Sequence, residues 1–155
     1  MKQVIPFDTS ALISLGHTNL IDKILENYTP LVTSSVISEL KEIAKRNDPD
    51  GKSASKWLKK KKKFQVENVK PQIPTENELF DISIRSKIPI VTDDIKAIKK
   101  YRNKCKCLFS IHIVYGLFYK GEISRAQGIL AIQKMKRERS WKENAISIAA
   151  KVLFE

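Results

Sequence analysis

The most informative stretch of this chain is residues 4–13, with the sequence VIPFDTSALI. Residues 4–7 are apolar, which predicts a short buried strand. An acid, Asp8, follows that strand directly. In an open parallel sheet, ligand-binding residues stand just beyond the carboxyl ends of the strands, so Asp8 is a candidate site residue.

Short apolar runs alternate with longer helical patterns along the rest of the chain, which favours an α/β fold with a mostly parallel sheet. Further strands are predicted at residues 31–33, 64–69, 88–92 and 107–109. Helices are predicted at residues 19–26, 35–46, 52–62, 75–86, 94–102, 111–119, 124–139 and 141–154. We therefore expect one domain over 1–155, with a core over about 2–110 and C-terminal helices over about 111–155.

The chain is strongly basic, with 29 Lys and Arg against 17 Asp and Glu and a formal charge of +12. This imbalance favours an anionic partner, most simply nucleic acid. The uncharged run at residues 107–119 is shorter than the ~20 residues of a membrane span. Asp8 interrupts the first apolar segment before a signal peptide can form. We expect no membrane contact.

The two cysteines, Cys105 and Cys107, have no His partners at metal-ligand spacing. A disulfide scaffold and a zinc site are therefore disfavoured. A reducing compartment is the simpler location for such a chain. We expect a cytoplasmic protein.

Acids follow two different predicted strands. Asp8 comes after residues 4–7, and the pair Asp93 and Asp94 comes after residues 88–92. Each alone has a simple alternative as a turn residue or a helix cap. Their recurrence after two strands favours a shared site at one edge of the sheet.

Helix phase, at about 100° per residue, adds a third candidate from residues 35–46. Glu42 lies nearly opposite the apolar face of this helix and is expected to face solvent. Glu39 lies at the edge of that face. It either reaches a cleft or is an ordinary boundary glutamate.

The helix over residues 75–86 carries three acids, of which Glu76 projects near the middle of the apolar face. Glu78 and Asp81 are expected to point the other way, and Glu78 forms a capping box with Thr75. An inward acid is costly unless it is paired or binds a metal. The helix dipole also favours an acid in the first turn. We prefer Glu76 as the functional acid of this helix.

Several carboxylates gathered in one place cannot all stay ionised without cations. Hard oxygen ligands suit Mg²⁺ or Mn²⁺, which also bind substrate phosphate. Such a site activates water for attack on a phosphodiester and stabilises the leaving oxygen. An acidic pocket on a basic protein fits this chemistry, because the basic surface holds the phosphate backbone.

Three segments together resemble the PIN-domain family. They are FDTSALI at residues 7–13, VISEL at residues 36–40 and VTDD at residues 91–94. The resemblance covers about residues 2–110 and is closest to stand-alone archaeal and bacterial members. It implies a three-layer α/β/α sandwich with a helical C-terminal tail and metal-dependent ribonuclease activity.

The resemblance also implies which acids are catalytic. Asp8, Glu39, Glu76 and Asp94 match the acids that ligate one or two Mg²⁺ or Mn²⁺ ions, and Asp93 matches an additional acid of some members. Position 76 carries glutamate, where many members have aspartate. The hydroxyls expected to support these ligands are those of Thr9 and Thr92.

Two lysine-rich segments bear on RNA binding. The cluster that follows Asp94 is the better placed to hold a phosphate backbone beside the site. Its RNA-binding candidates are Lys96, Lys99, Lys100 and Arg102. The run at residues 59–63, with Lys52 and Lys56 upstream, is more simply a solvated helix end.

These observations favour a metal-dependent endoribonuclease, either a toxin with a cognate antitoxin protein or an RNA-maturation nuclease. The main alternative is a catalytically inactive PIN-like RNA-binding or assembly module. A phosphoacceptor domain fits less well, because the strand at residues 64–69 is not followed by an aspartate. A phosphatase with an Asp-x-Asp pair is disfavoured, because Ser10 occupies the second position.

The last predicted helix bears on oligomeric state. One broad face carries Trp141, Ala145, Ile148, Ala149 and Val152. An apolar face of this kind needs a partner surface. It is expected to pack on the domain or on a second copy of the chain, giving a homodimer.

Overall fold

The computed structural model describes residues 2–68, 75–141 and 145–154. The strands are β1 (Gln3–Pro6), β2 (Tyr28–Thr33), β3 (Gln65–Glu67), β4 (Ile90–Val91) and β5 (Cys107–Leu108). The α-helices are α1 (Thr9–Gly16), α2 (Ile21–Asn27), α3 (Ser34–Ala44), α4 (Pro49–Leu58), α5 (Thr75–Ser86), α6 (Ile95–Tyr101), α7 (Ser110–Tyr119), α8 (Arg125–Glu138) and α9 (Ala145–Phe154). The predicted mixed α/β fold is confirmed.

The strands form two parallel ladders that meet at β1 and β4. One ladder has the order β1-β2-β3, and the other pairs β4 with β5. A single parallel bridge between Phe7 and Val91 joins them, and the Asp8 amide donates to the Val91 carbonyl at 2.9 Å. Across this bridge the strand order is β3-β2-β1-β4-β5. The order therefore reverses between β1 and β4, the position where open α/β sheets bind ligands.

Helices cover both faces of the sheet because side chains alternate along each strand. Ile5, Val32 and Val91 belong to one hydrophobic cluster, together with residues of α1, α3, α4 and α7. Their strand neighbours Leu31 and Ile90 belong to a second cluster with residues of α5 and α6. The sheet thus separates two apolar layers.

Helix α1 is not predicted from the sequence, although it begins directly after Asp8. Every residue of α1 except Ser10 is buried. A helix buried on all sides lacks the one-sided apolar pattern by which helices are recognised. Its interior position follows from packing against α4, where the Trp57 indole donates to the Leu12 carbonyl.

The basic segment after Gly51 departs from its predicted helix over residues 52–62. Helix α4 ends at Leu58, and a separate 3₁₀ helix covers Lys61–Lys63. Five consecutive lysines, residues 59–63, offer no apolar side chain to hold a further helical turn against the core.

Within the described ranges, no helix is both long enough and apolar enough to cross a membrane.

Part of the predicted apolar face of the C-terminal helix does not pack on the chain's own core. Ile148 and Val152 are 55% and 75% exposed, whereas Ile146 and Phe154 are buried. Helix α9 rests on α7 through Phe154, whose ring contacts those of Tyr115 and Phe118. This docking turns Ile148 and Val152 away from the chain's own core.

Candidate functional site

Asp8 and Asp94 lie at the carboxyl ends of β1 and β4, where the strand order reverses. Asp8 caps α1, and its Oδ1 accepts from the Thr9 amide at 2.8 Å. Asp94 caps α6, and its Oδ1 accepts from the Ala97 amide at 3.1 Å. Each acid thus satisfies an open helix N-terminus, which fixes the position of its carboxylate. The fold brings these two predicted acids together.

Two hydroxyls join the loops that carry these acids. Thr92 Oγ1 donates to Asp8 Oδ2 at 2.9 Å and accepts from the Asp94 amide at 3.1 Å. Ser10 Oγ donates to the same Asp8 oxygen at 3.2 Å and accepts from the Asp93 amide at 3.0 Å. Thr92 therefore supports Asp8 as the sequence suggested. Ser10 was missed, although it lies two residues after Asp8, where a hydroxyl returns readily to the acid.

Burial raises the pKa of Asp8 above its ordinary value. Hydrogen bonds from Thr92, Thr9 and Ser10 oppose that rise, and the negative charge of Asp94 adds to it. Ionisation of Asp8 in the folded protein therefore costs free energy, and a bound cation would lower that cost.

Glu39 reaches the same acidic cluster from α3. Burial raises the pKa of Glu39, the hydroxyl of Thr9 opposes the rise, and the charges of Asp8 and Glu78 add to it. Glu39 is partly buried, whereas Glu42 on the opposite side of the helix is exposed, as its phase predicted. Glu39, at the edge of the apolar face of α3, thus belongs to the acidic cluster.

Glu78, expected to point away from the interior, is instead only 4% exposed. Its Oε2 accepts from Ser35 Oγ at 3.1 Å, at the first turn of α3. The apolar spacing of α5 also predicts a buried Ile84, but Ile84 is only partly buried and Ser83 is completely so. This rotation of the buried face, together with the cover that α3 provides, brings Glu78 inside.

The side chain of Glu76, the acid that the sequence favours on α5, lies outside the described residues. Its role stays a prediction. One local signal for Glu78 was available, because Glu78 stands one helical turn before the buried Ile82 and shares its side of the helix.

Asp93 is buried in a contact with the start of α7. Its two carboxylate oxygens accept from the Ser110 amide at 2.8 Å and the Ser110 hydroxyl at 2.6 Å. Burial raises the pKa of Asp93, and these bonds from Ser110 oppose the rise. The carboxylate of Asp93 therefore ties α7 to the loop that carries Asp94.

The Thr9 hydroxyl is buried and, within the part of the chain that the structure describes, makes no hydrogen bond of normal length. It nevertheless lies near enough to Glu39 to lower the pKa of that carboxyl. A buried hydroxyl in a polar setting is usually satisfied by water. The Thr9 hydroxyl therefore has unused hydrogen-bonding capacity beside Glu39.

The described side chains do not form a complete set of direct metal ligands. Among the described residues, no three His, Cys, Asp or Glu side chains are grouped so as to hold a metal ion. Mg²⁺ does not need such a cage, since it keeps several waters and commonly binds through one or two carboxylates and substrate phosphates. The acids near Asp8 fit a hydrated cation of this kind.

The basic residues expected to bind RNA lie on the surface of α6 or just after it. They are Lys96, Lys99, Lys100 and Arg102, and all four are exposed. Tyr101, by contrast, is buried, and its ring stacks on that of Phe80 with 4.1 Å between centroids. Because Asp94 caps α6, this basic helix begins at the acidic cluster.

Comparison with known proteins assigns no family to this chain. No protein-family model matches it, and no curated protein matches it. Interpretation of the site therefore rests on its own geometry.

Proposed function

We propose that this protein is a divalent-metal-dependent endoribonuclease of the PIN-domain type. The observation that carries the proposal is the clustering of Asp8, Glu39 and Asp94 at the reversal of strand order, with Glu78 beside Glu39. Asp8 is influenced by the charge of Asp94, and Glu39 by the charges of Asp8 and Glu78, so four separate segments contribute acids to this region. A cation would favour the ionised forms of Asp8 and Glu39.

Asp8, Glu39 and Asp94 would hold a hydrated cation, one or two of them directly and the rest through its waters, with Glu78 or Glu76 contributing from α5. Mg²⁺ and Mn²⁺ are favoured because all the donor atoms are hard carboxylate oxygens. When bound, such an ion supplies charge neutralisation and the activation of water for attack on phosphorus.

Hydrogen bonds from the chain itself hold the Asp8 carboxylate in position. Thr92 and Ser10 hold the Asp8 carboxylate from one side, and the Thr9 amide holds it from the other. These bonds leave Asp8 little freedom to rotate. Outer partners of this kind orient a metal-binding carboxylate, so Thr92 and Ser10 are positioning residues.

RNA is the proposed substrate because of the charge around the acids. The net charge of +12 makes the molecule attractive to polyanions, and the exposed cations of α6 begin beside Asp94. Contacts of Lys96, Lys99 and Lys100 with phosphates would position a strand without reading its bases.

The first prediction concerns Asp8→Asn. This variant keeps the helix cap but loses the charge, so Mn²⁺-dependent cleavage of labelled RNA should fall at least about 100-fold. Asp81→Asn is the matched control, since Asp81 is exposed on α5 and should retain wild-type cleavage. Cleavage is followed by gel electrophoresis with Mn²⁺ and with EDTA. Equal rates for wild type and Asp8→Asn would contradict the proposal.

One observation favours the alternative of a catalytically inactive RNA-binding module. Both Asp8 oxygens accept hydrogen bonds from the chain itself, and the described residues include no metal-holding group of three. The alternative predicts RNA binding that is insensitive to EDTA, no cleavage, and no heat of Mn²⁺ binding in calorimetry.

A further inference from the structure

Two neighbouring cavities open at the end of α1 away from Asp8. One, of about 200 Å³, is lined by residues that include Gly16, His17, Lys52 and Lys134. The other, of about 300 Å³, adjoins it and includes Thr18, Asn19 and Lys59. Lys56 lines both cavities. We call the two cavities together the lysine groove and define it by Lys52, Lys56, Lys59 and Lys134.

The lysine groove carries uncompensated positive charge. The acids that line the groove pair with cations other than the four groove lysines. Asp22 pairs with Lys60 at 3.2 Å, and Glu138 pairs with Arg137 at 3.7 Å. Among the described residues, no carboxylate pairs with any of the four groove lysines. Lys56 Nζ donates instead to the Gly16 carbonyl at 3.3 Å, which holds its charge at the mouth of the groove.

Two helices and the C-cap of one of them build this charge. Lys52 and Lys56 are one turn apart on α4, Lys59 follows α4, and Lys134 comes from α8, 75 residues further along the chain than Lys59. The exposed run Lys61–Lys63 continues the basic surface beyond Lys59. A convergent, concave set of cations is suited to a chain of phosphates, because each lysine can meet a different one.

The lysine groove is separate from the acidic cluster. Asp8 precedes the first residue of α1, and Gly16 is the last of its eight residues. An eight-residue helix is about 12 Å long. A ligand in the groove therefore lies at the opposite end of α1 from Asp8.

We propose that the lysine groove is a second RNA-binding surface, which holds the phosphate backbone of the strand away from the point of cleavage. The choice of RNA as ligand rests on the proposed function. A lipid surface fits less well, because lysines dominate the side chains that line the groove, and its one large aliphatic lining residue, Ile21, is buried.

The test compares RNA binding by wild type and by a triple variant, Lys52→Gln, Lys56→Gln and Lys134→Gln. Affinity for polyuridylate is measured by fluorescence anisotropy in EDTA, so that no cleavage occurs. At about 0.15 M salt we expect binding about tenfold weaker, and a plot of log K against log salt whose slope is reduced by about 2.

The matched control is Lys2→Gln, Lys41→Gln and Lys45→Gln, which removes the same charge from exposed positions outside the groove. This variant should keep near wild-type affinity and slope. If the two triple variants lose affinity for polyuridylate equally, the loss reflects net charge alone, and the inference is overturned.

Protection of lysines in the wild-type protein gives a second measurement that needs no variant. Acetylation followed by mass spectrometry should show Lys52, Lys56 and Lys134 shielded by polyuridylate and not by phosphatidylglycerol vesicles. Shielding by the vesicles alone, or none at all, would overturn the inference.

These outcomes are distinguishable from failure of the proposed nuclease. If Asp8→Asn loses cleavage while the groove variant binds RNA as the wild type does, the nuclease stands and the groove inference falls. If the groove variant binds weakly and no Mn²⁺-dependent cleavage is found, the groove is an RNA surface of a non-catalytic protein.

Discussion

The Asp8 carboxylate has two roles that impose opposite requirements on it. As the cap of α1 it accepts from the Thr9 amide, which favours its charged form. Burial among other acids disfavours that form and is the larger effect, so the pKa of Asp8 is raised. This combination is typical of functional carboxylates, which folding keeps in place at a cost to stability.

Glu78 provides a residue-scale prediction. Its charge raises the pKa of Glu39, so Glu78→Gln should lower that pKa. Removing a carboxylate should also weaken Mn²⁺ binding by about tenfold or more. The measurement is the rate of RNA cleavage against Mn²⁺ concentration and against pH, where the acidic limb should move to lower pH.

Glu76→Gln is the companion variant, since Glu76 is the candidate that the sequence favours. A loss of Mn²⁺ affinity in Glu76→Gln with none in Glu78→Gln would assign the α5 acid to position 76. Asp81→Asn, exposed on the same helix, controls for altered charge on α5.

At the scale of elements, the close approach of α3 and α4 positions Glu39. Gly51, in the first turn of α4, is buried against the end of α3. A Cβ at position 51 would lie 2.1 Å from the Arg46 carbonyl oxygen and 3.1 Å from that of Ile43. Both are backbone atoms, which cannot swing aside as a side chain can.

Gly51→Ala should therefore force α3 and α4 apart. We expect a loss of about 1–3 kcal/mol in the free energy of unfolding, measured as a lower urea midpoint with an unchanged m-value. Lys52→Ala is the control, because position 52 is exposed on the same turn and should shift stability by less than about 0.5 kcal/mol. Equal midpoints for Gly51→Ala and wild type would contradict the role assigned to this contact.

At the scale of the whole molecule, buried acids link stability to pH. Burial raises the pKa values of Asp8, Glu39 and Asp93 in the folded state. Above their ordinary values, 3.8 for Asp and 4.5 for Glu, the folded protein binds more protons than the unfolded chain. The contribution of these groups to stability therefore falls as pH rises through that window.

Asp8→Asn should consequently be more stable than wild type in EDTA at pH 7. The gain should shrink as the pH falls and vanish below 3.8, the ordinary pKa of Asp, where Asp8 is protonated in both states. Each 1 kcal/mol is worth about 2–4 °C in Tm for a chain of this size. Thermal unfolding followed by circular dichroism at several pH values measures this difference.

Metal addition provides the complementary measurement on the same two proteins. Mn²⁺ should raise the Tm of wild type more than that of Asp8→Asn at pH 7, because binding to the folded state stabilises it. A Tm of Asp8→Asn below that of wild type at neutral pH would show that the ionised carboxylate stabilises the fold, against the direction of its pKa shift.

Local patterns were sufficient for much of the fold and part of the site. Helix α5 has the predicted bounds, Thr75–Ser86, because its cap, its apolar spacing and its end all lie within twelve residues. Asp8 and Asp94 were found for the same reason, since each directly follows a short apolar run. Short apolar runs that alternate with longer helical patterns likewise predicted an α/β architecture.

The rest depends on contacts between distant segments. Helix α1 has no one-sided pattern because α4 and the sheet bury it together, and Glu78 is inside because Ser35 covers it from 43 residues away. The lysine groove needs Lys134 beside Lys56, which no local spacing can indicate. Chain neighbours specify strands, caps and helix ends, whereas packing of the elements sets which polar groups meet, because burial and charge act through space.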